Sequence, residues 1–266
     1  SVAWNHILAT SRADTVRLRH VRADAAIHDF LLARCGIADR PQKAPALDMR
    51  NYRDEKSYDA RYTKEQRRRR KRIRASLEKR GDVEFQISSQ PQSLCDSVGT
   101  AVKHKQEWLD ERGLYSGPLS KGGLDRFLSR LARRCGETLH VVSSRILVDG
   151  EAISHQIGLR YFGRQLCYLT SHDRQFTDLS PARLHMDFAQ RAAIGVKTDV
   201  FDLMVPGDPY KKAWSNEEVE VCDFYSATSV KGKAFARVYL SALRPMARRF
   251  YFAAPPRVRS KLLSLM

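Results

Sequence analysis

A chain of 266 residues with 42% hydrophobic composition holds one large or two small domains and buries a core, which excludes a disordered chain. The net charge of +17 invites a nucleic-acid surface, yet residues 61–80 (eleven Lys/Arg against Glu65 and Glu78) and 231–266 (nine against none) supply +9 each, leaving the remainder at −1. The middle of the chain is close to neutral, so each basic face needs its own explanation.

Val16-Arg17-Leu18-Arg19-His20-Val21 alternates as a short strand, and Ile27, Phe30, Leu31 and Arg34 predict a helix over 25–34 that Gly36 stops. Residues 37–56, with Pro41 and Pro45 among polar residues, read as an extended linker and the domain boundary. A long basic helix follows over 59–80. It has Tyr62, Ile73 and Leu77 on one stripe and the Arg/Lys run 67–72 around the rest, until Gly81 ends it. Val83, Phe85 and Ile87 alternate as a strand. Helices are predicted over 91–112, carrying Leu94, Val98, Val102 and Trp108, and over 123–135, carrying Leu124, Phe127, Leu128 and Leu131, with a loop over 113–122. Three strands over 139–148, 153–162 and 166–171 turn at Asp149-Gly150 and at Gly163, and Ile153, His155, Ile157, Leu159 and Tyr161 share one face.

Ser180 as N-cap and Pro181 as first helical residue open the next helix, whose buried stripe is Leu184, Phe188 and Ala192 and which Gly195 closes. Val200-Phe201-Asp202-Leu203-Met204-Val205 is a short buried strand, parallel to the strand before the helix because a helical crossover joins them. Residues 217–226 alternate as a last strand. The tail sets Phe235, Val238, Tyr239, Ala242, Leu243, Met246 and Phe250 at helical intervals beside Arg237, Arg244, Arg248 and Arg249, with Pro245 as a kink. That stripe either packs on the domain or forms an interfacial membrane helix, and 231–266 is the segment expected to touch an anionic membrane.

Cys35, Cys95, Cys135, Cys167 and Cys222 are widely spaced, with no Cys-x-x-Cys pair and no His at a zinc-type offset. Neither a disulfide framework nor a metal is expected, none of the five is nominated as a nucleophile, and a reducing, cytoplasmic compartment fits. No apolar run approaches the roughly 18 residues of a membrane span.

Three motifs carry a resemblance over about residues 55–228. They are the basic helix with Arg67-Arg68-Arg69-Arg70-Lys71-Arg72 leading through Gly81 into a strand; Asp173 and Ser180-Pro181 heading the next helix; and Phe201-Asp202-Leu203 followed by Tyr210-Lys211-Lys212-Ala213-Trp214. Together they resemble the GNAT superfamily, and specifically the CelD/BcsL-type acyltransferases associated with cellulose and exopolysaccharide biosynthesis, which are related to the Fem-type aminoacyl transferases. The resemblance implies an α/β GNAT fold with a mixed, mostly antiparallel sheet flanked by helices. It divides the chain into 1–55 (the remnant of a second, N-terminal GNAT-like half plus linker), 56–228 (the acyltransferase domain) and 229–266 (a basic amphipathic tail). It further implies transfer of an acyl group from acetyl-CoA or another acyl-CoA to an amine or hydroxyl of a saccharide-type acceptor, by direct attack and without a metal, in the cytoplasm or at the inner face of the membrane.

In such folds the cofactor's pyrophosphate sits on backbone amides at the head of the helix after the fourth strand, which maps to Leu179, Ser180, Ala182, Arg183 and Leu184. A helix N-terminus offers about half a positive charge and four unpaired N–H donors. The usual Gln/Arg-x-x-Gly-x-Gly/Ala signature is absent and Ala182 follows Ser-Pro, which restricts close phosphate approach. Two alternatives therefore stand beside the first: a Fem-like transferase using aminoacyl-tRNA, with RNA gripped by the basic faces, and a non-catalytic GNAT-like binding module.

For the chemistry, His155 is either a general base or a satisfied core histidine. His172 and Asp173 either line the acceptor site or cap a loop. Asp202, in an apolar strand, needs a partner and either orients an acceptor amine or ties down Lys211 or Lys212. Tyr210, Lys211 and Trp214 match the family's Tyr-Lys-x-x-Trp segment, Trp214 serving either the core or the acceptor.

Overall fold

Apolar alternation organises both units of this computed structural model, which describes residues 2–255 apart from 89, 121, 135 and 137, together with 258 and 259. Cys135, expected to end a helix, lies outside the described residues. One unit comprises residues 2–45, 205–212 and 217–255, the other 46–204 and 213–216 together with 258 and 259.

In chain order the first unit opens with α1 (Val2–Thr10), β1 (Thr15–Arg22), α2 (His28–Leu32), β2 (Gly36–Ile37) and the start of β3 (Gln42–Asp48). The second continues with α3 (Glu55–Ala60), α4 (Lys64–Glu78), β4 (Val83–Ser88), α5 (Pro91–Glu111), α6 (Gly117–Ser120), α7 (Leu124–Arg134), β5 (Leu139–Val148), β6 (Glu151–Tyr161) and β7 (Arg164–His172). A 3-10 turn (Arg174–Leu179), α8 (Pro181–Gly195) and β8 (Val200–Asp202) complete it. The first unit then resumes with α9 (Pro209–Lys212), β9 (Glu217–Ala227), α10 (Val230–Ala234), a π-helical segment (Phe235–Leu243) and α11 (Arg244–Ala253).

The architecture is the expected one: mixed α/β, with a mostly antiparallel open sheet flanked by helices. In the second unit the strand order is β3–β8–β7–β6–β5–β4, and only β7 and β8 run parallel among the pairs registered there. In the first, β9 pairs antiparallel with both β1 and β2. On one face of the second unit's sheet, Val98 and Ala101 of α5 and Leu124 and Leu128 of α7 pack on Val141, Ile157 and Leu169. On the other face, Leu184 and Phe188 of α8 meet Ile146, Ile153 and Leu77, while Met186 and Ala189 meet Phe201, Tyr58, Tyr62 and Trp214.

Four local expectations are corrected. The 37–56 linker contains β3, whose Ala44, Ala46 and Leu47 are buried with Met49, an apolar run obscured by its prolines. The long basic helix is two, because Asp54 with Ser57 and Thr63 with Gln66 each build a reciprocal capping box that starts a new helix. Ser180 does not cap α8 with its side chain. It takes a left-handed conformation (φ 54°) at the end of the 3-10 turn, with its N–H bonded to the Thr177 carbonyl. Pro245 sits in the first turn of α11 and is preceded by the π-helical segment, whose wider register accommodates the missing proline N–H instead of a plain kink.

Candidate functional site

β7 and β8 pair only between Arg164, Gln165, Leu166 and Val200, Phe201, Asp202. β8 ends there while β7 runs on to His172, so the two strands part at their carboxyl ends, where α8 also begins. Ligands of open α/β sheets bind at such ends.

A polar cluster lies at this end, on the α5 face. Register aligns Arg145 of β5, His155 of β6 and Ser171 of β7, so these side chains share one face, and Ser143 is the next residue of β5 on it. α5 supplies Ser97 and His104 on a common side, and the His104 and His155 rings stand 5.5 Å apart, edge to face. Ser97 Oγ, His104 Nδ1, Ser143 Oγ, Arg145 Nε, Ser171 Oγ and both ring nitrogens of His155 are buried atoms that meet no protein partner. Leaving one such group unmet costs about 1–3 kcal/mol, so a concentration of them on one face is a feature of sites, not of cores.

His155 is 1% exposed. Burial first, then His104 and Arg145, lower its pKa to about 4, against a small opposing effect of the Ala152 carbonyl. At neutral pH the imidazole is uncharged and ready to accept a proton. His172 closes the same end: its Nε2 lies 3.4 Å from Thr177 Oγ1, and burial, Lys105 and His104 lower its pKa.

The opposite face of the strands carries a different histidine. His185 of α8 is fully buried, with Nε2 2.8 Å from Ser144 Oγ and Nδ1 2.8 Å from Ser154 Oγ. Burial, with a smaller push from His155, lowers its pKa to about 3.

The remaining sequence candidates fall as follows. Asp202 is buried, accepts a hydrogen bond from the Met204 N–H (2.8 Å) and lies 3.6 Å from Arg164 Nη1, which supplies the cation it required. Lys211 donates from Nζ to the Pro206 carbonyl (2.8 Å), and Lys212 lies 3.6 Å from Glu218. Tyr210 is half exposed, and with Lys211 it belongs to α9 of the first unit. Trp214 is a core residue, edge-on to Tyr62 with centroids 6.1 Å apart, and its carbonyl accepts from Gln190 Nε2 at 2.9 Å. Asp173 caps the 3-10 turn by accepting from the Gln175 N–H at 2.9 Å.

At the head of α8 Pro181 has no N–H, and the Arg183 N–H bonds to the Ser180 carbonyl at 3.0 Å. The amide cradle is thus narrower than that of a free helix end. The side chains of Leu179 and Leu184 pack inward with Phe176 and Phe188, while Ala182 and Arg183 are half-buried. The basic helix is partly structural: Arg70 Nη1 meets Asp187 Oδ1 at 2.5 Å and stacks 3.3 Å over the Tyr62 ring. Arg191 bridges Asp187, Asp59 and Glu55.

Sequence reasoning missed His104 and His185. His104 follows Ser97 by two helical turns, the signal of a polar stripe, whereas the serine partners of His185 lie 41 and 31 residues away and left no local signal.

Residues 64–212 match the family described as Acetyltransferase (GNAT) domain. No curated protein matches the chain in sequence. Among solved structures the chain is similar to FemX, with a TM-score of 0.62 and 10% identity over 89% of this chain and 77% of that one. It is also similar to the C-terminal domain (DUF2156) of a protein assigned as a lysylphosphatidylglycerol synthetase of Agrobacterium fabrum, with a TM-score of 0.55 and 13% identity over 90% and 77%. At these identities the likeness is one of fold.

Proposed function

The chain belongs to the acetyltransferase (GNAT) domain family, the acyl-CoA-dependent acyltransferases, and we propose that it moves an acetyl or other acyl group from acyl-CoA to an amine or hydroxyl of a saccharide-type acceptor. The observation that carries this reading is the unmet polar cluster around His155 at the end where β7 outruns β8. An acyl-CoA laid along the free tail of β7, its phosphates toward Ala182 and Arg183, brings the thioester to that cluster. The acceptor's nitrogen or oxygen attacks the thioester carbonyl, its proton passes to His155, the carbon–sulfur bond breaks and the imidazolium returns that proton to the departing thiolate. Serine hydroxyls and the Arg145 guanidinium offer the hydrogen bonds a hydroxyl-rich acceptor needs.

One observation favours a second reading, transfer from aminoacyl-tRNA: Arg68, Arg69, Lys71, Arg72 and Arg74 are exposed on α4, as an RNA-binding face requires. A thermal-shift titration with acetyl-CoA, free CoA and bulk tRNA at two salt concentrations separates them. Stabilisation by the CoA compounds that survives high salt supports the first reading. A response to tRNA alone, steeply weakened by salt, replaces it with the second.

A further inference from the structure

The C-terminal helices of the first unit carry an apolar stripe that faces outward. Phe235, Tyr239, Leu243, Met246 and Phe250 follow one another at spacings of four, four, three and four residues, and Val238 and Phe252 flank them. All seven are exposed, Phe250 at 72% and Leu243 at 53%. The inner side of the same helix is already used, since Ala236 and Leu240 are buried against Ala38 and Tyr225. The sequence left open whether the stripe packs on the domain; the structure turns it away.

Within the segment that carries the stripe the charge has one sign. Residues 231–255 contain Lys231, Lys233, Arg237, Arg244, Arg248 and Arg249 and no acid. Arg244 and Arg248 lie 3.4 Å and 3.8 Å from Asp39, while Lys231, Lys233, Arg237 and Arg249 stand exposed. Beside the stripe a groove of about 900 Å³, lined among others by Ile37, Asp39, Arg40, Met246, Arg248 and Arg249, combines apolar walls with three guanidinium groups against the one carboxylate of Asp39.

We propose that this face is a docking surface for an anionic phospholipid bilayer, with the aromatic and aliphatic stripe entering the headgroup region and the flanking cations pairing with lipid phosphates. Apolar residues with cations around them match the interface between acyl chains and anionic headgroups. A second copy of the chain would bring the same cations to the stripe and repel. Among the described residues no helix is long and apolar enough to cross a membrane, so these helices lie on the surface.

The test is co-sedimentation of the full chain with vesicles of phosphatidylcholine alone and of phosphatidylcholine with phosphatidylglycerol, at low and high salt. Two multiple variants go alongside: Leu243→Ser/Met246→Ser/Phe250→Ser, and Lys231→Gln/Lys233→Gln/Arg237→Gln/Arg249→Gln. All these positions are exposed, and unchanged thermal unfolding verifies that the variants fold. The expected result is binding to the phosphatidylglycerol vesicles only, weakened about tenfold or more by either variant and by salt. Equal binding to both vesicle types, binding indifferent to both variants, or no binding overturns the proposal. A dimer in light scattering that the serine variant dissolves, without vesicle binding, assigns the stripe to a second copy instead.

Discussion

His155 and His185 sit against opposite faces of the same strands, both buried and both held neutral, yet their hydrogen bonding differs. His185 has each ring nitrogen 2.8 Å from a serine hydroxyl. Neither nitrogen of His155 has a protein partner at hydrogen-bond geometry, and Ser143 Oγ, Arg145 Nε and Ser171 Oγ share that condition, although Arg145 donates from Nη2 to Gln86 Oε1 at 2.9 Å. Burial and a depressed pKa are common to the two, so neither property marks a site. Hydrogen-bond completion distinguishes them: a completed histidine specifies packing, and an incomplete one retains capacity for a substrate.

That comparison breaks most visibly in the rate. His155→Gln is expected to lower kcat about 100-fold or more, the usual contribution of a positioned proton acceptor, while stability changes by less than about 1 kcal/mol because no protein hydrogen bond is lost. Stopped assays with acetyl-CoA and a saccharide amine, beside urea unfolding, read both quantities. A fully active variant would return His155 to the core.

His185→Ala is expected to do the reverse. It strands the hydroxyls of Ser144 and Ser154 and opens a cavity, a loss of about 3 kcal/mol in urea unfolding, with kcat per folded molecule held within a few-fold. A stability loss under about 1 kcal/mol would mean that the two serines find other partners.

Proton linkage sharpens the contrast. Both histidines titrate lower in the folded chain, at about 4 for His155 and about 3 for His185, than the ordinary 6.5. The unfolded chain therefore binds protons that the folded one refuses, so their contribution is complete above about pH 6.5 and declines as the pH falls toward 4 and then 3. His155→Gln should flatten the upper part of that decline. The acid limb of kcat, if His155 takes the acceptor's proton, should lie near pH 4; a limb near 6.5 would assign the proton to another group.

The sequence made the frame of the site legible and left its wiring hidden. Alternation in 139–172 and the Asp149-Gly150 turn, which adopts φ of 49° and 81°, placed β5, β6 and β7 and put His155 on an inward face. Ile153, expected on that same face, packs instead on the α8 side because the β5–β6 register shifts between Ile146 and Leu147. The parallel pairing of β8 followed from a helical crossover. What periodicity does not encode is which polar groups meet across the fold. His104 reaches His155 from a helix far earlier in the chain, and His185 finds its serines on two different strands. Ser180 followed by Pro181 has the composition of a capped helix start, but the preceding 3-10 turn takes the serine's backbone into the left-handed region and removes its side chain from the cap.

Asp202 gives the smallest effect, and it tests whether completion is a general criterion here. Its carboxylate is buried, bonded to the Met204 N–H and 3.6 Å from Arg164, so it resembles His185 and not His155 in having its needs met. Met204 sits at φ 58°, a left-handed turn that the hydrogen bond to Asp202 holds where β8 ends. Asp202→Asn keeps an oxygen for that N–H and removes the charge opposite Arg164, whose side chain is 28% exposed and can turn to water. The expected loss is therefore only about 1 kcal/mol in urea unfolding, well below the cost of stranding a fully buried charge. A fall in kcat of tenfold or more in a folded Asp202→Asn chain would instead give the carboxylate a part in orienting the acceptor, and completion of hydrogen bonds would then no longer separate scaffold from site.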